Sequence, residues 1–186
     1  MSAIIKQNPQ GIDNYIQAFQ VFLYGQLKSK WGLQDSDYAA YGRSYRNQQD
    51  GGYVPEVLAA TNGDYRENFF DDSLYALSFF GVQDDQKYLA GGTTANVYLI
   101  FMVKTDKIKD PAKIVHRADE EIRLDVERVC KMRRFGFVMK SIETGIDTVF
   151  REYSGWRKTD GIKFRDMNNS HCFRINFSLL YSIQNC

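Results

Sequence analysis

One stretch limits the fold of this chain more than any other. Ala95-Asn96-Val97-Tyr98-Leu99-Ile100-Phe101-Met102-Val103 is almost continuously apolar and rich in β-forming residues. At nine residues it falls far short of the roughly 20 needed to span a bilayer. Successive side chains of a strand point to opposite faces, so an apolar strand of this kind needs cover on both sides. The run therefore predicts a central strand with other elements packed above and below it. Gly91-Gly92 marks the bend before it, and Ser73–Val82 predicts a neighbouring strand, with the charged segment Gln83–Leu89 joining the two.

Two helices are predicted as cover. The first runs from about Pro9 to Trp31, where Ile12, Ile16, Phe19, Leu23 and Leu27 recur every three or four residues. Asn8 is its expected cap, Pro9 its first helical residue and Gly32 its end. The second runs from about His116 to Arg133 on the stripe Val115, Ala118, Ile122, Val126 and Val129. Asp119, Glu120 and Glu121 open it and Lys131 and Arg133 close it, in the order that the helix dipole favours.

Strands are expected at Val138–Ile142, Thr148–Tyr153 and Ile162–Arg165, with a hairpin turn at Thr159-Asp160-Gly161. In the final stretch Phe173, Ile175, Phe177, Leu179, Tyr181 and Ile183 alternate with Arg174, Asn176, Ser178, Leu180 and Ser182, giving one apolar and one mostly polar face. Residues 33–72 read as a long polar, tyrosine-rich loop that reaches a neighbouring chain, with a turn at Asp50-Gly51-Gly52 and an extended edge at Tyr53–Leu58. The whole chain, residues 1–186, reads as a single α+β domain. Its expected plan is a largely antiparallel sheet packed by two helices, with an extended loop at 33–72 and a protruding hairpin arm at 145–166.

The search for chemistry yields little. With 24 basic and 23 acidic side chains the net charge is +1, which supplies no overall field for phosphate backbones or membrane surfaces. Cys130, Cys172 and Cys186 lack metal or disulfide spacing and read as reduced cytoplasmic thiols, and the opening residues, without a basic-then-apolar layout, are not expected to act as a signal peptide. His171 and Cys172 are neighbours on a strand, so they point apart. Gly91-Gly92-Thr93-Thr94 has no following lysine and leads into a strand, unlike a phosphate-binding loop. Asp71-Asp72 with Glu67 or Glu143 is the best enzymatic alternative, a metal-dependent nuclease-like site, although a solvated turn explains the aspartates better. A third reading is a nucleic-acid-binding module using Arg43–Arg46 and Arg151–Lys158, where aromatics and cations interleave. The same mixture of Tyr, Trp and Arg is typical of protein interfaces. On this reading no cofactor or metal is expected, and Tyr41, Tyr45, Arg46, Tyr53, Trp156 and Arg157 are the expected anchors between subunits.

The order helix, strands, helix, strands resembles the tail terminator and related neck proteins of tailed bacteriophages. The wording resembles virion proteins of phages that infect Bacteroidetes, the crAss-like phages among them. It does so in Tyr45-Arg46-Asn47 with Asp50-Gly51-Gly52-Tyr53-Val54-Pro55-Glu56, in Phe69-Phe70-Asp71-Asp72-Ser73, and in Arg165-Asp166-Met167 leading to His171-Cys172-Phe173-Arg174-Ile175. The resemblance implies a non-enzymatic subunit of a hexameric or larger ring at the head–tail junction or tail end of a virion. It further implies contact with portal, adaptor and tail proteins, DNA passing through the lumen without sequence-specific binding, and no membrane. The family has no catalytic residues to carry over.

Overall fold

A computed structural model describes residues 3–58, 63–68, 73–89, 91–110, 115–116, 119–133, 135–156 and 170–182. Its centre is a five-stranded sheet in the order β1 (Tyr38–Arg43), β5 (Ala76–Leu89), β6 (Gly92–Lys104), β10 (Ser170–Tyr181), β9 (Phe137–Thr144). All neighbours are antiparallel except β1 and β5. The apolar run lies in β6, the middle strand, and is covered on both faces. Val97, Leu99, Phe101 and Val103 enter one core, while Tyr98, Ile100 and Met102 enter another.

The first core lies under the helices. α1 (Ile12–Trp31) contributes Ile16, Phe19, Leu23 and Leu27, and α2 (Asp119–Met132) contributes Ile122, Val126 and Val129. They meet the alternating face of β10 formed by Phe173, Ile175, Phe177 and Leu179. Phe19 is surrounded by the rings of Phe80, Phe135, Phe137 and Phe177 at centroid distances of 4.8–6.0 Å. The two helices are locked together by a buried carboxylate: Asp125 accepts a hydrogen bond from the Trp31 indole at 3.1 Å and pairs with Lys30 at 3.4 Å.

Both helices are shorter at their starts than the periodicity predicts. α1 begins at Ile12, not Pro9, because Asn8 and Gly11 both take left-handed backbone (φ 51° and 56°) and so form a turn ahead of the helix. Its end is as expected: Gly32 donates to the Ser29 carbonyl and Leu33 to that of Lys28, the paired bonds of a Schellman ending. His116 is not helical but pairs in a small ladder, β7 (Lys109–Asp110) with β8 (Val115–His116), and α2 starts three residues later.

Residues 33–72 are not the extended loop that their composition suggests. β1 joins the main sheet, and β2 (Tyr45–Gln49), β3 (Gly52–Leu58) and β4 (Tyr65–Glu67) form a second, three-stranded antiparallel sheet. The reason is topological. β1 and β5 are parallel neighbours, and parallel neighbours require a crossover long enough to return the chain. Here the crossover is built as a sheet, and its Val54 and Val57 cover the outer face of the main one.

The segment after Gly145 is likewise not a protruding hairpin where it is described. Thr148–Tyr153 is no strand; α3 (Ile146–Val149) and the turns to Trp156 fold onto the outer core through Val149, Phe150, Tyr153 and Trp156. The expected strand at Ile162–Arg165 and the turn at Thr159-Asp160-Gly161 lie outside the described residues. Gln83–Leu89 is part of β5 and not a connector, so β5 and β6 form one long hairpin. Among the described residues, no helix is long and apolar enough to cross a membrane.

Candidate functional site

Three of the aromatic and basic residues expected as anchors, Tyr45, Arg46 and Tyr53, lie on the small sheet. Asp50 and Gly51 both have positive φ (45° and 81°), the backbone of a tight hairpin turn that pairs Gln49 with Gly52. β2 is exposed along its full length, which brings Tyr45 and Arg46 to the surface, and Tyr53 of β3 is 42% exposed. The Arg46 guanidinium lies 5.6 Å from the centre of the Tyr53 ring and pairs with Asp84 of β5. That bond raises the Arg46 pKa further above its ordinary value.

On the opposite side of β2, Arg43 lies over the Tyr45 ring at 4.6 Å, and Tyr65 of β4 meets the same ring edge-on at 5.2 Å. The Tyr45 hydroxyl donates to Asp13 at 3.3 Å. Burial, followed by the Asp13 charge, pushes its pKa up to about 12, so it stays a neutral donor. Tyrosine and arginine held in this way present wide, flat contact area with few rotamers left to order, which is what interface anchors need.

The face is stiffened from beneath. Gly155 N–H donates to the Tyr53 carbonyl at 3.0 Å. A Cβ on Gly52 would stand 2.2 Å from the Gly155 Cα, so the two backbones touch at a point where only glycines fit. This contact decides the place of Trp156. It is fully buried, edge-on to Phe79 and Phe150 at 6.2 and 4.9 Å, and so it is a core residue, not an exposed anchor. Arg157 lies outside the described residues. Tyr41 is half-buried against the outer core.

Of the six expected anchors, then, the fold brings Arg46 and Tyr53 together on one side of the small sheet and exposes Tyr45 on its other side. Tyr65 and Asp84 are not among the expected anchors and Arg43 enters only the nucleic-acid reading; in the fold Arg43 and Tyr65 flank Tyr45, and Asp84 pairs with Arg46. Their signal was the short strand Tyr65-Arg66-Glu67, too brief to show a period of two, and the basic residue one step beyond Gly42.

The catalytic alternatives fare as follows. Asp71 and Asp72 lie outside the described residues. Glu67 belongs to the small sheet beside its register partner Glu56, and burial, then the Glu56 charge, raises its pKa. Glu143 belongs to β9 in the other sheet, where it accepts a hydrogen bond from Arg151 at 2.6 Å. Among the described residues, no group of three or more His, Cys, Asp or Glu side chains could hold a metal ion. Cys172 is buried in the outer core, and burial pushes its thiol up to about 11, which leaves it a protonated, poor nucleophile at neutral pH. His171 stacks on Phe173 at 5.5 Å. Gly92 opens β6 with its Cα against the Tyr181 carbonyl, the turn-and-strand arrangement expected of Gly91-Gly92.

Comparison with protein-family models, with curated proteins and with solved structures finds no match to this chain.

Proposed function

We propose that this chain is a structural subunit of a virion, one copy in a ring at the head–tail junction or tail end of a bacteriophage. Its contacts with neighbouring copies would be made through the small-sheet face. The observation that supports this reading is the exposed Arg46–Tyr53 pair on the small sheet, pinned to a rigid core by the Gly52–Gly155 contact and by the Arg46–Asp84 pair, with Tyr45 exposed on the sheet's other side. The order of helices and strands that resembles tail terminators adds to it. In a ring, one face of each copy meets a different face of the next, and the contact closes when the rotation per copy divides a full turn. Ion-paired and mixed charges on such a subunit suit a lumen that DNA traverses without sticking, since no net basic field holds the phosphates.

Negative-stain electron microscopy of the purified protein, alone and with its candidate portal and tail partners, tests the reading. Rings of uniform diameter are expected. Particles of single-copy size under every condition would overturn it.

A further inference from the structure

The helical layer carries a groove that the small-sheet face does not use. It lies between the N-terminal strap of residues 5–9, the outer side of α1 and the residues that follow α2, with a volume of about 730 Å³. Ile5, Ala18, Val21, Phe22 and Phe135 give it a largely apolar wall, with the amides Asn8, Asn14 and Gln17 also lining it. Val21 is 47% and Ile5 39% exposed, so two large apolar side chains on adjacent elements face solvent at the groove.

The strap forming one wall is held in place. Ile4 donates to the Ala40 carbonyl at 2.7 Å and accepts from Gly42 N–H at 3.1 Å. The buried Gln17 side-chain amide donates to the Lys6 carbonyl and accepts from Lys6 N–H, each at 3.0 Å. The groove is thus preformed.

Its charge is one-sided. Lys6 and Arg133 are its two ionic residues and no carboxylate lines it. Arg133 rests on the Phe135 ring at 4.4 Å, and neither cation has a carboxylate partner among the described residues. Two cations without a carboxylate partner among the described residues, beside an open and largely apolar trough, are complementary to an apolar segment that carries carboxylates.

We propose that this groove binds an acidic amphipathic peptide segment of a partner protein, its apolar side chains against Val21, Phe22 and Phe135 and its carboxylates on Lys6 and Arg133. An open trough with preformed walls is the geometry in which an amphipathic segment docks. The inference is independent of the ring reading, which concerns a different face.

The test uses the full chain and two fluorescein-labelled peptides of about four helical turns, one patterned with Leu and Glu and the other with Lys at every Glu position. Fluorescence anisotropy should show saturable, salt-sensitive binding of the Glu peptide and much weaker binding of the Lys peptide. Val21→Glu, an exposed change that leaves the core intact, should weaken the Glu peptide by about tenfold or more. The double variant Lys6→Glu with Arg133→Glu should reverse the preference. Three results overturn the proposal: no binding of the Glu peptide, equal binding of both peptides, or Val21→Glu without effect. Self-association that Val21→Glu abolishes would also overturn it, since a second copy would then be the occupant.

Discussion

At the scale of single residues, the outer core is organised by Tyr98. Its ring lies over Gly81, its register partner on β5, so closely that a Cβ there would stand 2.1 Å from the ring. The ring is not free to yield. Its hydroxyl hydrogen-bonds that of Tyr153 at 2.9 Å, Tyr153 bonds Ser44 at 2.8 Å, and the Arg174 guanidinium sits 3.8 Å from the ring centre. Gly81→Ala is therefore expected to destabilise the chain by about 3 kcal/mol, the upper end of overpacking costs, read as a lower urea midpoint at unchanged slope. Arg174 shows what alternation hides. It stands on the polar side of β10, yet it is fully buried, because the 146–156 segment folds over it and Glu152 grips it with both oxygens. A sequence shows that a face is polar; it does not show that a distant segment will cover it. Beside this pair, burial alone would raise the Glu143 pKa, but bonds from Arg151 and Asn176 and the charges of Arg151 and Arg174 outweigh it and hold the pKa below the ordinary 4.5. The folded chain thus binds this proton less readily than the unfolded one. The stability Glu143 contributes is full above pH 4.5 and is lost as pH falls through the folded-state value. Glu143→Gln should flatten the acid limb of a urea-midpoint titration below that pH; an unchanged acid limb would contradict the assignment.

At the scale of elements, what could be read from the sequence is what carries a clean period. α1, α2 and β10 bury long side chains at 3.6- or 2-residue spacing, and their positions follow from that spacing, while β6 is legible from a continuous apolar run buried on both faces. The small sheet could not be read in this way. β2 is exposed along its full length, so Tyr45–Gln49 has no apolar alternation, and β3 carries Pro55 in its middle. Pro55 is tolerated because the N–H it lacks would point, like its carbonyl, to the β4 side, ahead of the ladder of Glu56–Leu58 with β4, so no bond to β2 is lost; the carbonyl itself accepts from Asn68 N–H at 2.9 Å. The passage from one sheet to the other turns on Ser44, which is buried and bonds the Phe80 carbonyl through both its N–H and its hydroxyl. Thr148–Tyr153 reads as a strand from its β-forming residues, but packing of Val149 and Phe150 into the outer core decides for a helical turn. Between helices the decisive contact is Asp125, 1% exposed. Asp125→Ala leaves the Trp31 indole N–H buried without this acceptor and should cost about 2 kcal/mol. Asp125→Asn keeps an acceptor and should cost less. Thermal unfolding of the two variants gives the order, and equal losses would show that the indole bond is not what matters.

At the scale of the whole molecule, one sheet is covered by helices on one face and by a small sheet and short helix on the other. Part of that outer face stays open. Val138 and Leu180, 50% and 53% exposed, lie beyond the reach of the small sheet, and β9 is an edge strand of the main sheet. Such an edge is available for contact with another chain. The proposed assembly would run through the face that carries Arg46 and Tyr53. Sedimentation velocity over a concentration series, with the unaltered chain beside an Arg46→Glu, Tyr53→Ser variant of the same thermal stability, tests it most directly. The account predicts a single large species of fixed copy number for the unaltered chain and a monomer for the variant. A monomer in both, or the same large species in both, would contradict it.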